Sequence, residues 1–213
     1  PAIGETFFKG VYKLPEGHYF TYRDGKMDIH RYYDEDFREG KQKLGELVNS
    51  IDQTVCDSVK AHQIADVEVG SFLSSGVDSS YVAAVARPQH TYSIGFGKGT
   101  YNESQQAGEL AELLKLNNTA ESLTDEEAFA AFPRIQWHLD EPDSNPSCVP
   151  LYFLSALAAK DVKVVLSGEG ADELFAGYID YGVHTKFKPI KVVTRWLTHL
   201  PAGARKAIAR FCK

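Results

Sequence analysis

A run of small residues carries the clearest chemical signal in this sequence. It lies between an apolar stretch and a helical stretch and reads Ser74, Ser75, Gly76, Val77, Asp78, Ser79. Small residues let backbone N–H groups turn inward, and a helix start adds partial positive charge, so the run predicts a cradle for phosphate or pyrophosphate. The carboxylate of Asp78 would repel phosphate unless a cation lies between them, which implies Mg²⁺. The alternative is a tight strand-to-helix turn with Ser79 as the helix cap.

A second run combines glycines with carboxylates directly after an apolar stretch. Its residues are Ser167, Gly168, Glu169, Gly170, Ala171, Asp172 and Glu173. Glycines permit a close backbone approach, and clustered carboxylates are costly unless they are solvated or hold a metal. The alternative is an exposed acidic turn in which Asp172 caps the next helix. A third acidic loop, residues 140–143, either lines a pocket or ends a helix, and the spacing does not separate the two.

The elements around these loops alternate between strand and helix. Strands are predicted over residues 67–73, 91–94 and 162–166, and helices over residues 79–86, 103–115, 125–139 and 149–159, with a bend or restart at Pro133. This alternation predicts an α/β fold with a parallel sheet and helices on both faces. Ligands bind at the carboxyl ends of strands in such sheets, where both glycine-containing loops fall.

The N-terminal third has a different pattern. Short strands over residues 11–13, 18–22 and 27–33 are too few to form their own core, so they resemble the trailing edge of a preceding domain. Asp24-Gly25 predicts a hairpin turn. A long amphipathic helix follows over residues 44–59, and the acidic residues 34–36 are expected to complement its dipole.

Composition narrows the class of protein. The 213 residues are 43% hydrophobic and 24% charged, which is typical of a globular domain, and no apolar run reaches the roughly 18–20 residues of a membrane span. Three cysteines without Cys-x-x-Cys spacing argue against a disulfide framework or zinc site and favour a reducing, cytoplasmic location. Asn117-Asn118-Thr119 matches the glycosylation pattern, which means little in that setting.

Charge is uneven along the chain. The net charge is −6, yet no acidic residue follows Asp180, where eight Lys and Arg residues occur. A basic end of this kind fits nucleic acid or a solvated helix face. The solvated face is favoured because no aromatic base-stacking pattern accompanies the charge.

Two motifs resemble known families. Residues 72–80 resemble the pyrophosphate loop of N-type ATP pyrophosphatases, with Ser75 where those proteins have glycine, and residues 92–96 look like their following strand. The first loop is shared with GMP synthetases, NAD synthetases and tRNA-modifying enzymes. Residues 166–178 are similar to the signature of glutamine-hydrolysing asparagine synthetases, which narrows the choice. The implied fold is the adenine nucleotide alpha hydrolase-like, PP-loop type.

The resemblance implies ATP-dependent amide formation. Aspartate would be adenylated with release of pyrophosphate, and ammonia would convert the adenylate to asparagine and AMP. Asp78 and Asp172 would hold Mg²⁺, and Glu169 would be catalytic by supporting the aspartyl adenylate. Leu73 and Ile94 would lie near the base, and Ser167 and Gly168 would contact the nucleotide through their backbone. The complete implied ATP-binding set is Leu73, Ser74, Ser75, Gly76, Asp78, Ser79, Ile94, Ser167 and Gly168.

The resemblance also implies domains and partners. Residues 1–34 would be the C-terminal strands of a glutaminase domain with a linker, and residues 35–213 an incomplete synthetase domain. The partners would be aspartate, ATP, ammonia from glutamine and the glutaminase domain of the same parent, without nucleic acid or membrane; a homodimer of the parent is left open. Without the family's amino-terminal cysteine and later lysine, the chain alone is expected to bind nucleotide weakly and to make no asparagine.

Two other functions stay open. A related enzyme could use the same adenylation to activate another carboxylic acid, as a β-lactam synthetase-like ligase or another amidotransferase. A domain could also bind nucleotide without catalysis. The presence of Asp78, Glu169 and Asp172 together argues against that second alternative, because binding alone does not need all three.

Overall fold

The computed structural model describes residues 4–36, 40–97, 103–179 and 181. The chain divides into two compact units, residues 1–167 and residues 168–213. The described part of the first unit contains a hairpin, a long helix and a parallel sheet with its helices. The basic C-terminal segment noted in the sequence and Cys212 lie outside the described residues.

A β-hairpin comes first. Strand β1 (His18–Arg23) pairs antiparallel with β2 (Lys26–Arg31). The two turn residues, Asp24 and Gly25, have positive φ angles of 51° and 76°. Both central positions of this turn type need positive φ, so the Asp-Gly prediction is confirmed.

One prediction for the N-terminal region is wrong. Residues 11–13 form a single bridge to Glu5 instead of a strand. The long helix α1 (Leu44–His62) begins eight residues after Asp36, so residues 34–36 lie outside its first turn, and their effect on its dipole stays a prediction. The acidic residue in that turn is Glu46, whose carboxylate accepts a hydrogen bond from the Lys43 N–H at 3.4 Å.

A four-stranded parallel sheet forms the centre of the first unit. Its strands are β3 (Val69–Phe72), β4 (His90–Phe96), β5 (Asn117–Leu123) and β6 (Val164–Leu166). They lie in the order β5-β4-β3-β6, and each neighbouring pair is parallel. The associated helices are α2 (Val77–Ala86), α3 (Glu103–Leu114), α4 (Asp125–His138) and α5 (Cys148–Ala158).

Both faces of this sheet are covered. Successive strand residues point to opposite faces, so Leu73 and Phe72 belong to different clusters. One cluster joins the sheet to α2 and α3, and its buried members are Leu73, Ala83, Ala107 and Ala111. The other joins the sheet to α5, and its buried members are Tyr92, Leu157, Ala158 and Val162. The predicted fold class is therefore confirmed.

Two details were not predicted. Strand β5 was missed because its sequence, NNTAESL, is polar and mostly exposed; it pairs with β4 alone at the edge of the sheet. Helix α4 runs through Pro133 without a break. Pro133 is exposed, so water can satisfy the carbonyl that loses its N–H partner.

The strand order creates a switch point. The chain steps from β3 outward to β4 and β5, then crosses back to place β6 on the other side of β3. Ligands of open α/β sheets bind where the strand order reverses, outside the carboxyl ends of the strands. In this chain that position lies between the ends of β3 and β6.

Candidate functional site

The two ends that flank the switch point are tied together by a buried serine. Ser71 is fully buried in β3, and its Oγ donates to the carbonyl oxygen of Leu166, the last residue of β6, at 3.3 Å. The segment after β3 begins at Leu73 and the segment after β6 begins at Ser167. The sheet therefore brings the starts of both predicted loops to one edge.

The loop after β3 is built around two serine hydroxyls. The Oγ atoms of Ser74 and Ser79 are 2.7 Å apart, and the Ser74 N–H donates to Ser79 Oγ at 3.1 Å. The Gly76 N–H donates to Ser74 Oγ at 3.0 Å, and Ser80 Oγ donates to the Gly76 carbonyl at 2.6 Å. These short contacts fold residues 74–80 into a compact bend at the first turn of α2.

Gly76, and not Ser79, caps helix α2. Gly76 has an extended backbone with φ −70° and ψ 149°, and it makes no side-chain cap. Ser79 lies inside the first turn and bonds back to the loop, so its interpretation as a helix cap is wrong. A Cβ at Gly76 would lie 3.1 Å from Ser74 Oγ, which is tight. Ser75 is exposed and is not among the described non-glycine residues with a positive φ.

A buried polar network supports this loop from inside the sheet. Leu73 donates its N–H to the Tyr92 carbonyl at 2.8 Å, and its own carbonyl oxygen lies 2.7 Å from Ser93 Oγ. Ser93 and Thr91 each place a hydroxyl oxygen 3.0 Å from Asn118 Oδ1. Sequence reasoning missed this network, although hydroxyls inside an apolar strand signal buried partners.

Asp78 is the acidic residue of the loop. It lies in the first turn of α2 with an exposed side chain. A carboxylate in the first turn of a helix is favoured by the helix dipole. Asp78 is therefore placed where it can meet a solvated cation.

The second unit opens with the glycine- and acid-rich loop. Helix α6 (Ala171–Phe175) has Gly170 as its N-cap, with φ 91°. The interpretation of Asp172 as the cap is therefore wrong, because Asp172 lies one residue inside the helix. Glu169 and Glu173 are exposed, and Asp172 is half-buried.

The acidic side chains of this segment act on the hydroxyl group of Tyr178. Its hydroxyl donates to Glu173 Oε1 at 2.7 Å. This hydrogen bond, with smaller contributions from burial and from the charges of Glu173, Asp172 and Glu169, raises the pKa of Tyr178 to about 12. The phenol therefore remains neutral, and a hydrogen-bond donor, far above neutral pH.

Comparison with known proteins assigns the chain to a family. The asparagine synthase family matches residues 50–208. The chain belongs to the asparagine synthase family. It is 37% identical over 203 residues to an asparagine synthetase [glutamine-hydrolyzing] 1 of Bacillus subtilis, covering 93% of this chain and 31% of that protein. It is 28% identical over 199 residues to Amidase chry2 of Gibberella zeae, covering 81% of this chain and 30% of that protein.

This member of the asparagine synthase family thus spans about a third of the length of these relatives. Among solved structures, it is similar to an NMN synthetase from Francisella tularensis, with a TM-score of 0.43 and 21% identity over 65% of this chain and 60% of that one. No helix in the described ranges combines the length and apolar character needed to cross a membrane.

Two residues expected near the nucleotide base lie on opposite faces of the sheet. Leu73 is 2% exposed and packs in the cluster with α2 and α3. Ile94 is half-buried and packs against the cluster with α5. The side chain of Leu73 is a core side chain, so any contact it makes to a base would use its backbone. The assignment of both residues to ATP stays a prediction.

The donor chemistry of the acidic residues fits magnesium. Among the described residues, no group of three or more His, Cys, Asp or Glu side chains converges as a complete metal site. Mg²⁺ does not need such a group, because it usually binds one or two carboxylates together with substrate phosphates and water. The Asp78 carboxylate is exposed beside the serine loop, and oxygen ligands suit this ion.

The third acidic loop has structural contacts. Gln136 at the end of α4 bonds the backbone of Asp143 in both directions, at 2.9 and 3.0 Å. The Asp143 carboxylate accepts from the Asn145 N–H at 2.9 Å, and Glu141 forms an ion pair with Lys13 at 2.7 Å. These bonds stabilise the connection between α4 and α5. They give a structural role to Glu141 and Asp143, two of the three acidic residues in the loop.

A pocket of about 390 Å³ lies between α4 and α5, and sequence reasoning missed it. Its lining includes His138 from α4, and Cys148, Leu151 and Tyr152 from α5. These α5 residues lie on a different stripe from Leu154, Leu157 and Ala158, which pack toward the sheet. The pocket therefore lies on a different side of α5 from the one that packs on the sheet.

Proposed function

We propose that this chain is the ATP-binding part of a glutamine-hydrolysing asparagine synthetase. The observation that carries the proposal is the serine loop at residues 74–79, which lies at the switch point and opens a helix in a chain of this family. Backbone N–H groups and a helix start at that position favour a polyphosphate.

The proposed reaction has two steps. A β-carboxylate oxygen of aspartate attacks the α-phosphorus of ATP, and the bond to pyrophosphate breaks with its electron pair on the leaving group. Ammonia then attacks the acyl carbon of the adenylate, the bond to AMP breaks, and one proton is released. A carboxylate oxygen is a poor leaving group, so adenylation makes the amide-forming step feasible.

Each predicted residue has a role in this scheme. Ser74, Ser75, Gly76 and Ser79 would bind the pyrophosphate part of ATP. Leu73, Ile94, Ser167 and Gly168 would contact the rest of the nucleotide. Glu169 would support the adenylate as the catalytic residue. The small side chains of the serine loop and its position at the start of α2 support the first of these assignments.

The ion in this scheme would be Mg²⁺, with Asp78 and Asp172 as its protein ligands. When bound, it would offset the negative charge of the pyrophosphate. Asp78 belongs to the first unit and Asp172 to the second, so the pairing rests on the family resemblance. The oxygen-only donor set supports the choice of ion.

The proposed partners follow from the relatives. Residues 1–34 would end a glutaminase domain that supplies ammonia from glutamine, and residues 35–213 would begin the synthetase domain. The hairpin exposes an apolar face made of Phe20, Tyr22, Met27 and Ile29, which supports this division, because an isolated two-stranded hairpin is barely stable in water. The chain alone would then release no pyrophosphate from ATP and aspartate.

The test is a pyrophosphate-release screen of the full-length parent with aspartate and a panel of other carboxylic acids. We expect aspartate with ammonia and Mg-ATP to give release. The variants Ser79→Ala and Asp78→Asn should lower the rate by about a hundredfold, as for loss of one group placed at developing charge. Gly108→Ala in α3 is the control, since an added methyl there meets open space. No release with any acid would contradict the ligase function.

One observation favours a second candidate acid. A relative at 28% identity is named as an amidase and not as an asparagine synthetase. In this alternative the same ATP site would activate another carboxylic acid. The same screen separates the two, because release with a different acid and none with aspartate would select the alternative.

A binding module without catalysis predicts a different behaviour. Its affinity for ATP, measured by calorimetry on the parent, would not change when Mg²⁺ is removed. The ligase proposal predicts that ATP binding weakens without Mg²⁺, because Asp78 would then face the phosphates without a cation between them.

A further inference from the structure

The carboxylate of Asp172 lies directly over Gly177. Asp172 is the second residue of α6, and Gly177 follows the end of that helix. A Cβ at Gly177 would overlap Asp172 Oδ1 and would lie 3.0 Å from the Cγ and 3.3 Å from the Cα of Asp172. No side chain fits at residue 177 while the carboxylate keeps this position.

The backbone of α6 creates this approach. Ala176 ends the helix in the left-handed conformation, with φ 57° and ψ 43°. The reversal lets the Gly177 N–H donate to the carbonyl oxygen of Asp172 at 3.0 Å. The carbonyl and the carboxylate of Asp172 therefore both lie next to Gly177. The carbonyl accepts a hydrogen bond from the Gly177 N–H, and the carboxylate occupies the space that a side chain at residue 177 would fill.

Space, and not backbone freedom, is the reason for glycine here. Gly177 is not among the described glycines with a positive φ, so its φ does not itself require glycine. Gly170, at the other end of α6, is the opposite case: its φ is 91° and nothing lies within 4 Å of an added Cβ. The two glycines of this motif thus serve different physical needs.

The two adjacent acidic residues, Asp172 and Glu173, have different contacts. Glu173 accepts a hydrogen bond from the Tyr178 hydroxyl at 2.7 Å. Asp172 packs on the glycine instead, in a half-buried position. Tyr178 thus holds one carboxylate, while Gly177 leaves the space that the other occupies.

We propose that Gly177 is a positioning residue for the Asp172 carboxylate. Because residue 177 has no side chain, the carboxylate can lie where it is able to bind a divalent cation. This inference rests on the proposed function, in which Asp172 is a ligand of Mg²⁺. An alanine at residue 177 would push the carboxylate away, since a terminal carboxylate moves more easily than the helix backbone.

The first test measures Mn²⁺ binding to the full-length parent by electron paramagnetic resonance, with the metal alone as the probe. We expect Gly177→Ala to weaken Mn²⁺ binding by about tenfold or more, as for loss of a group that orients a metal ligand. Asp172→Asn should have a similar effect, and Gly108→Ala, the control, should have none. Normal binding by Gly177→Ala together with weak binding by Asp172→Asn would overturn the inference.

If Asp172→Asn binds Mn²⁺ like the natural protein, the proposed metal role of Asp172 fails.

The second test is independent of metal and decides the positional claim itself. Hydrogen exchange of the amides over residues 171–178 is compared for Gly177→Ala, Asp172→Ala and the double variant. We expect Gly177→Ala to speed exchange in the natural background and to have little effect once Asp172 is shortened. An equal effect in both backgrounds would overturn the inference.

Discussion

Ser93 is a single residue on which the shape of the candidate site depends. It is 2% exposed, and its hydroxyl oxygen lies 2.7 Å from the Leu73 carbonyl, immediately before the serine loop. The same oxygen lies 3.0 Å from Asn118 Oδ1. A buried hydroxyl with two oxygen partners fixes the backbone that leads into the loop.

We expect Ser93→Ala to lower the free energy of unfolding by about 1–3 kcal/mol, because the buried Leu73 carbonyl loses its hydroxyl donor. Urea denaturation measures this change. Ser122→Ala is the matched control, since Ser122 is exposed on the edge strand β5. Equal effects of the two substitutions would show that the buried network does not contribute.

Two tyrosines have a pKa raised to about 12 for different reasons. A hydrogen bond to Glu173 is the main cause for Tyr178, whereas burial is the main cause for Tyr92, with Asp161 second. Glu173→Gln should therefore return the pKa of Tyr178 toward 10, while Asp161→Asn should leave most of the Tyr92 shift in place.

The sign of the effect on stability follows from the direction of these shifts. A raised pKa in the folded state favours the neutral phenol, so the contribution is present below the unfolded pKa near 10 and is lost as pH rises through about 12. Nuclear magnetic resonance of ring-labelled tyrosine over the alkaline range checks both variants. An unchanged Tyr178 titration in Glu173→Gln would contradict the assigned cause.

At the scale of elements, α4 has a well-defined start. Thr124 is its N-cap, and the Thr124 hydroxyl accepts from the Glu127 N–H at 3.2 Å. The Glu127 carboxylate accepts from the Thr124 N–H at 2.9 Å, completing a capping box. These bonds lower the pKa of Glu127, with the backbone bond as the largest cause.

A lowered carboxyl pKa stabilises the folded state above the unfolded value, and the contribution is lost as pH falls through the folded value. We therefore expect Glu127→Gln to be less stable than the natural protein at neutral pH and equally stable in strong acid. Thermal unfolding at both pH values checks this. Glu126→Gln, in the same first turn, is the control and should show no such difference. A deficit that persists in acid would contradict the charge argument.

The β-hairpin exposes an unusually apolar face. Phe20 lies opposite Ile29, and Tyr22 lies opposite Met27, on one face of the two strands. All four are exposed, from 49% for Ile29 to 69% for Tyr22. A face of this composition is typical of a surface that another element covers.

At the scale of the whole molecule, this face should govern association of the isolated chain. We expect the chain to self-associate as its concentration rises, and Ile29→Lys to reduce that association without loss of helical content. Thr21→Lys, on the opposite face of β1, should leave it unchanged. Sedimentation velocity measures the association, and circular dichroism checks the fold. Equal behaviour of the two variants would exclude the apolar face as the cause.

Local sequence predicted the elements of the first unit that have apolar strands or amphipathic helices. Strands β3, β4 and β6 and helices α1 to α5 were anticipated to within a few residues. Strand β5 was not, because a polar edge strand has no apolar pattern and forms only when β4 offers its backbone. The helix cap at Gly76 was missed because a serine three residues later can either cap or fold back.

By itself, the sequence determined which residues could do chemistry: two loops of small residues and acids, each directly after an apolar strand. Residue type and order are local properties, so they can be read without coordinates. The tertiary structure decided the placement of β6 beside β3 and the polar network of Ser93 and Asn118. It also decided the seating of Asp172 on Gly177. These depend on pairing between distant segments and on side-chain packing at separations of a few ångströms, which residue order does not encode directly.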